Sequence, residues 1–352
     1  MADTADIDFF RNRILAAVAG GHTLRIRGGG TKDFYGQSVE GEILDIGGYD
    51  GIVDYEPSEL VITARCGTPL AHIEAMLAER GQMLAFEPPH FGDGATFGGA
   101  IASGLSGPRR ATSGAVRDFV LGAVLMDGRG EVLRFGGQVM KNVAGYDVSR
   151  LLAGSLGTLG LILQASVKVL PRAVAESTRR FEMSELDALA RLNEWGGQPL
   201  PISASCWHEG VLSLRLSGAQ AAVDAAERQL GGERVDEGAR FWRSVREQRH
   251  AFFDGADCLW RLSVPSAAGA LILRGGQLIE WGGAQRWLKA DASRADSIRR
   301  TVKAAGGHAT LFRGGDKSVG VFQPLAPAVA TIHQRLKASF DPSQVFNPGR
   351  MY

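Results

Sequence analysis

Three glycines at a spacing of three, Gly154, Gly157 and Gly160, run directly into a strand-like segment that ends at Pro171. This junction lies within Met140–Pro171, MKNVAGYDVSRLLAGSLGTLGLILQASVKVLP. Leu161, Leu163, Ala165, Val167 and Val169 alternate with Gln164, Ser166 and Lys168, which predicts a strand with one apolar face. Proline has no N–H to donate to a ladder and closes the strand. Glycines bunched before a buried strand let the backbone come close to a neighbour, because no Cβ intervenes. A tight turn and a ligand cradle both satisfy that pattern. The choice between them depends on what the rest of the chain requires.

Other glycine loops point to a ligand. Arg27-Gly28-Gly29-Gly30-Thr31 follows a short strand predicted over Thr23–Arg27, and uncovered N–H groups in such a run suit a diphosphate. The stretch Phe91–Phe119, FGDGATFGGAIASGLSGPRRATSGAVRDF, has few large apolar residues and reads as a long segment wrapping a large ligand. Gly136-Gly137 closes a hairpin predicted over Phe119–Met126 and Glu131–Phe135. Four glycine-rich loops flanking strands imply an extended cofactor lying across all of them. A Rossmann site would need strand, GxGxxG and then helix, whereas here the glycines precede a strand. GxxxxGK[ST] and GxSxG are both missing.

Composition narrows the class. At 352 residues the chain exceeds what one core usually fills, so two domains are expected. Thirty-nine basic and 38 acidic residues leave a formal charge of +1, which gives no reason to expect a nucleic-acid partner. Cys66, Cys206 and Cys258 are too scattered for a disulfide framework or a paired-cysteine metal site, so no metal is expected. The N-terminus lacks a basic n-region, no apolar run is long enough to span a bilayer, and a cytoplasmic location fits. The seven histidines form no HExxH or H-x-H pair. His72 reads as solvated on a helix, and His90, in the turn Glu87-Pro88-Pro89-His90, is the stronger candidate for a role.

Helices are expected near 5–19 and from Pro69, with Thr68 as N-cap and Gly81 beyond the end. Strands are expected at Glu42–Asp45, Ile52–Tyr55, Leu60–Ala64 and Met83–Phe86. Beyond Pro171 the texture changes. Helices near Ser184–Glu194, Ala219–Leu230, Gly238–Phe252 and Ala292–Ala305 alternate with strands near Ile202–Trp207, Val211–Ser217, Leu259–Val264, Gln277–Trp281 and Ala309–Phe312. A last helix near Ala328–Ser339 leads to the tail NPGRMY.

R-G-G-G-T at Arg27–Thr31, T-F-G-G-A-I-A-S-G at Thr96–Gly104, V-R-D-F-V-L-G-A-V-L-M-D-G at Val116–Gly128, G-Y-D-V-S-R-L-L-A-G-S-L-G-T-L-G-L-I at Gly145–Ile162 and F-D-P-S-Q-V-F-N-P-G-R at Phe340–Arg350 resemble one known family. It is the vanillyl-alcohol oxidase and D-lactate dehydrogenase superfamily of flavoproteins, with a PCMH-type FAD-binding domain. Gly107-Pro108-Arg109-Arg110, Phe241-Trp242, Trp260–Pro265 and Trp281–Trp287 are most similar to the smaller, FAD-binding subunit family of bacterial glycolate oxidases.

The resemblance implies an α+β fold with a PCMH-type FAD-binding domain over residues 1–175. A cap domain with an antiparallel sheet would follow over 176–325, and a tail over 326–352 would return to the first domain. It also implies that Gly28, Gly29, Gly30 and Thr31 hold the FAD pyrophosphate, with Arg27 and Pro88 beside the site. Thr96, Gly98, Gly99, Ser103 and Gly104 would follow the ribityl chain and flavin. Gly154, Ser155, Gly157, Gly160, Ile162 and Asn347 would press against the cofactor, and Arg117 and Asp118 would border it. Covalent members carry a histidine where this chain has Thr31, so the FAD is expected to be non-covalent.

The implied partners are a sister flavoprotein subunit, an iron–sulfur subunit and a small hydroxy acid, with any membrane attachment through a partner at the inner face. The expected function is a share in oxidising glycolate to glyoxylate through flavin. The Glu-His-Gly motif and histidine pair of the catalytic relatives are missing, so no catalytic residue is assigned and the substrate chemistry is expected in the sister subunit. Two other readings stand beside this one. The first is a self-sufficient flavin oxidoreductase of hydroxy acids or alcohols, with Arg261, Arg313 or Lys317 holding a carboxylate. The second is a structural subunit with a degenerate flavin site.

Overall fold

The computed structural model describes residues 2–137 and 148–351. The first part of the Met140–Pro171 stretch, including Gly145, Tyr146 and Asp147 of the resembling motif, therefore lies outside the described residues. The fold is α+β. In the first half, five antiparallel strands run in the order Ile52–Glu56, Val61–Arg65, Leu161–Lys168, Val120–Met126 and Val132–Gly136. Leu161–Lys168 is the central strand, and Ile162 and Ser166 are buried along with the apolar face. The one-sided alternation expected of this strand is thus a two-sided burial, because the glycine loops and neighbouring elements cover its second face. Leu24–Arg27 and Glu42–Asp45 form a separate parallel pair, extended by a parallel bridge from Leu24 to Phe346 of the tail.

Several local expectations needed correction. Pro69, not Thr68, is the N-cap of the helix Leu70–Glu79. The Thr68 hydroxyl instead accepts from Gly51 N–H and donates towards backbone carbonyls of Arg65 and Gly51, pinning two turns together. The Met83–Phe86 strand reduces to Gln82–Met83. The glycine-dense segment is not one extended wrap. It contains a helix at Phe97–Ser103, capped by Thr96 Oγ1 accepting from Gly99 N–H at 3.2 Å, and single turns at Arg110–Ser113 and Val116–Phe119. Gly98 explains why glycine is tolerated inside that helix. A Cβ there would lie 2.5 Å from Cys66 Cβ, so the helix packs directly on the neighbouring backbone.

The second half is built on eight antiparallel strands in the order Glu233–Arg234, Ala175–Glu182, Val211–Gly218, Ile202–His208, Gln277–Glu280, Gln285–Lys289, Cys258–Ser263 and His308–Gly314. Ala175–Glu182 and Gln285–Lys289 were not expected. The first carries only one fully buried residue, Thr178, and so lacks an apolar alternation. One face of this sheet is covered by the helices Glu185–Gly196, Gln220–Leu230 and Ala295–Ala304, through Leu212, Leu214, Leu216, Trp260, Leu262 and Leu288. The opposite face, with Cys206, Leu278 and Trp287, packs against Tyr35, Leu105 and Leu156 of the first half.

Charged contacts lock the two halves. Arg215 grips Glu87 with both guanidinium nitrogens at 2.9 Å, and Arg109 adds a backbone N–H bond of 2.9 Å. Burial pushes the Glu87 carboxyl up, but Arg215 and then Arg109 outweigh it and leave the group below the usual carboxylate range. Lys317 donates to Phe34 and Gly36 carbonyls, and Glu247 accepts from the N–H groups of His90 and Phe91.

The last helix, Pro327–Phe340, returns to the first half, where Val345 and Phe346 enter its core. Lys337 Nζ donates to Thr158 O at 2.7 Å, Phe346 O at 2.8 Å and Asp341 Oδ2 at 2.5 Å. The Asp341 carboxylate, fully buried, accepts in turn from Val345 and Phe346 N–H. Removing one partner of a buried pair strands the other charge and costs ~3–5 kcal/mol. Lys337→Met is therefore expected to lower unfolding stability by about 3 kcal/mol, read from the shift in urea midpoint at unchanged slope; a shift below ~1 kcal/mol would mean that the tail is held by other contacts.

Candidate cofactor cleft

The strand Leu24–Arg27 delivers the chain into the first glycine run, whose backbone then turns back on itself with Asp33 N–H donating to Gly30 O and Tyr35 N–H to Lys32 O. Among the described residues, the N–H groups of Gly29, Gly30, Thr31 and Lys32 have no protein acceptor. Four successive uncovered amides make a concavity suited to an anion. A Cβ on Gly29 would sit 1.4 Å from Gly94 O, so two glycine loops are in backbone contact here.

These loops border one open cleft. Arg27, Gly28, Gly29, Gly30, Thr31, Thr96, Gly98, Gly99, Ser103, Gly157, Gly160, Ile162 and Asn347 all line it. The cleft therefore gathers segments more than 300 residues apart in sequence. Six other candidates do not line it. Gly104 packs against Gly154, and Gly154 N–H donates to Ile101 O, so this pair joins the second and fourth glycine loops behind the wall. Ser155 is buried beside the lining residue Leu156, and its hydroxyl has no partner among the described residues. Pro88 lies in the turn that carries Glu87. Arg117 and Asp118 are exposed on the single turn Val116–Phe119, where Asp118 accepts from Ala115 N–H.

The structure adds lining residues that sequence reasoning missed, among them Lys32, Asp33, Cys66, Leu156 and Arg350. Lys32 directly follows the first glycine run, but a single lysine in a loop carries no signal of burial. Here it is 9% exposed, and its Nζ donates to His90 O at 3.1 Å and Thr31 Oγ1 at 3.3 Å. Burial pushes the ammonium down from 10.5 to about 8, with Glu247 opposing the shift. His90 itself pairs through Nε2 with Glu74 Oε2 at 3.0 Å, away from the cleft lining, and His72 is exposed.

Asn347 closes the cleft from the tail. Its Oδ1 accepts from Ile26 N–H at 2.9 Å and its Nδ2 donates to Leu156 O at 2.7 Å. Leu156 and Asn347 both hold a left-handed backbone, φ +51° and +40°, which non-glycine residues seldom adopt. Strain of this kind concentrates where surrounding structure fixes a site.

Fold and cleft together define an FAD-binding protein of the oxidoreductase type. The FAD binding domain family matches residues 6–136. Two crystal forms of alkyldihydroxyacetonephosphate synthase share the architecture, with TM-scores of 0.65 and 0.66 at 14% and 15% identity; they cover 96% of this chain and 73% and 74% of theirs. At that identity the likeness is one of fold.

The chain belongs to the family of glycolate oxidase subunit GlcE. It is 52% identical over 329 residues to that protein of Escherichia coli strain K12, covering 94% of this chain and 92% of the relative. A shorter match, 38% over 96 residues, joins it to glycolate oxidase subunit GlcD of Bacillus subtilis strain 168, covering 27% of this chain and 20% of that one.

The residues present fit FAD: the loop with uncovered amides lines the cleft, glycines with Thr96, Ala102 and Ser103 keep much of the wall free of large side chains, and a buried lysine stands among the lining residues. Gly157 gives one test of the fit. Its φ is +72°, and a Cβ would lie 2.7 Å from Asn347 Nδ2. Gly157→Val is expected to cost about 3 kcal/mol of cofactor affinity, roughly 100-fold, read as flavin absorbance per chain after gel filtration; full flavin content in that variant would remove this loop from the site.

Lys32 gives a second test, through pH. An anionic cofactor near Lys32 raises its pKa on binding, so binding takes up a proton where the empty site is neutral. FAD affinity of the apoprotein is expected to fall as pH rises through about 8, approaching tenfold per pH unit, and to be flat in Lys32→Met. For the apoprotein alone the sign is opposite, since the unfolded chain binds more protons between about 8 and 10.5 and stability therefore rises across that window. Fluorescence titration of FAD from pH 7 to 9.5 measures the first effect; parallel slopes in both proteins would place Lys32 away from the anion.

Proposed function

We propose that this chain is the FAD-carrying subunit of a glycolate oxidase, acting with other subunits to oxidise glycolate to glyoxylate. The observation that carries the reading is the end-to-end correspondence with the GlcE subunit of Escherichia coli together with a cleft gathered from every part of the first half and the tail. In this reading the free amides of Gly29, Gly30, Thr31 and Lys32 take the pyrophosphate. Thr96, Gly98, Gly99 and Ser103 follow the remainder of the cofactor, and Gly157, Gly160, Ile162 and Asn347 close on it. The cofactor supplies electron acceptance from a carbon–hydrogen bond. The chain binds it, orients it and excludes water. Thr31 stands where covalent relatives have a histidine, so the bond to FAD is non-covalent.

The partners proposed are a sister flavoprotein subunit, for which the GlcD match is the support, and an iron–sulfur subunit that passes electrons onward. Among the described residues no helix is long and apolar enough to cross a membrane, so any association with the inner face of the membrane is assigned to a partner.

Affinity purification of the tagged chain from its native cells, grown on glycolate, tests the assembly. The expected preparation contains a second flavin chain and an iron–sulfur chromophore and reduces an acceptor dye with glycolate, whereas the chain purified singly is yellow but at least about tenfold slower per flavin. Equal rates for the single chain and the assembly would replace this reading with a self-sufficient oxidoreductase. A colourless chain that takes up no FAD would replace it with a structural subunit.

A further inference from the structure

Beyond Asn347 the tail turns back on itself and delivers a cation to the cofactor cleft. Gly349 is left-handed at φ +72°, and Arg350 N–H donates to Asn347 O at 3.2 Å. Arg350 O accepts from Gln37 N–H at 3.0 Å, and its guanidinium donates to Tyr35 O at 2.9 Å and Lys32 O at 3.4 Å. The tail is thereby fastened to the segment that follows the first glycine run. Arg350 lines the cleft and is only 7% exposed.

A guanidinium offers a fork of N–H donors and a fixed positive charge. In Arg350 that fork meets two carbonyls, its Nε is buried without an acceptor, and no carboxylate lies within ion-pair distance among the described residues. Arg25 and Arg27 differ, since both pair with Asp33, at 2.5 and 3.0 Å. The segment Leu24–Asp33 and the tail therefore set Arg25, Arg27, Lys32 and Arg350 against the single carboxylate of Asp33. Burial pushes the Arg350 guanidinium down from its ordinary value; Asp33 opposes the shift from beyond ion-pair distance and Arg25 adds to it. A buried charge without a counter-charge is costly, and this one stands in the wall of a cleft.

The partner this corner lacks is defined by its chemistry. Arg350 holds the carbonyl of Lys32, and the uncovered N–H groups of Gly29, Gly30, Thr31 and Lys32 end at that same residue. Amides and guanidinium are all donors, so together they require several acceptor oxygens and more than one negative charge. A diphosphate has both, and a planar guanidinium matches its oxygens in pairs. We propose that Arg350 is an anion anchor of the cleft, binding the diphosphate of the dinucleotide together with the free amides, so that the bound ligand locks the C-terminal tail onto the first half. The inference deepens the reading of the cleft as an FAD site and rests on it. In the sequence a basic residue after Asn347-Pro348-Gly349 reads as solvated, and only the turn at Gly349 brings it inside.

A charge that an anion stabilises is a liability while the cleft is empty. Arg350→Met keeps an apolar stem and removes the charge. In the empty chain this replacement should leave the melting temperature unchanged or raised, because a buried charge without a partner gives way to an apolar group. With a diphosphate bound it should lower it. A side chain that served only to pack the tail would destabilise both states alike.

ADP is the probe, since it carries the diphosphate and no flavin. Thermal unfolding and titrations with ADP and FAD are run on the full chain stripped of flavin, with hydrogen exchange followed in the peptide spanning 342–352. In the parent, ADP and FAD are each expected to slow exchange of the tail about tenfold or more. Arg350→Met should bind both ligands about tenfold or more weaker, lose the slowing of exchange at saturation and melt no lower than the parent when empty. Arg350→Lys, which keeps a point charge, should recover part of the affinity. Unchanged ADP affinity in Arg350→Met, equal tail exchange with and without ADP in the parent, or a variant that loses as much stability empty as loaded would overturn the proposal. A chain that binds ADP through Arg350 but takes up no flavin upholds the anchor and refutes the flavin-subunit reading, whereas a yellow chain whose FAD and ADP affinities ignore Arg350→Met refutes the anchor alone.

Discussion

The cleft depends on one amide. Asn347 uses both ends of its side chain, accepting from the first strand at Ile26 and donating to the fourth glycine loop at Leu156, while its own N–H donates to Leu24 O. An aspartate in its place would lose the donor, and an alanine would lose both bonds, so asparagine satisfies a requirement of geometry that no similar side chain meets. The position of Asn347 is itself imposed. The Asp341 carboxylate gathers Val345 and Phe346 N–H, and Lys337 holds that carboxylate and two carbonyls together. Helix, ion pair, tail and cleft therefore form one chain of dependence, and the far end of the sequence sets the spacing between two glycine loops near its start and middle.

Legibility in the sequence followed how local the cause was. Strands such as Glu42–Asp45 and the hairpin Val120–Gly136 were readable because alternation and turn residues lie within a few positions of one another. The convergence of glycine runs was readable because uncovered backbone serves few purposes other than close approach. The helix Phe97–Ser103 was not readable, since its glycines oppose helix propensity and only contact with Cys66 makes them necessary. Ala175–Glu182 was hidden for the converse reason: it lies next to the edge strand and carries six polar residues with Phe181 as its one large apolar side chain, so no hydrophobic period shows. Gly104 and Gly154 were recognised as glycines that must be small, yet what they accommodate is each other.

The interface between the halves explains why buried carboxyls can serve opposite ends. Glu87 and Glu280 both lie there, Glu280 almost fully and Glu87 largely removed from water, and burial alone would raise each. Glu87 meets two guanidinium groups and is held in its ionised form, which suits a permanent tie between the first half and the cap sheet. Glu280 meets neutral donors, an indole and an amide, with Arg261 acting only from beyond ion-pair distance. Its charge is left only partly compensated, and the negative Glu87 adds to that deficit.

A purely structural role would favour the first arrangement, since a well-paired carboxylate stabilises while a half-paired one does not. The second leaves the Glu280 carboxyl raised to about 7 while Glu87 stays below the usual range, so one interface holds a fixed charge beside a variable one. The register that brings Trp287 and Gln285 onto Glu280 also sets Arg261 on the same face, so strand pairing alone places the guanidinium and the raised carboxyl side by side on the sheet.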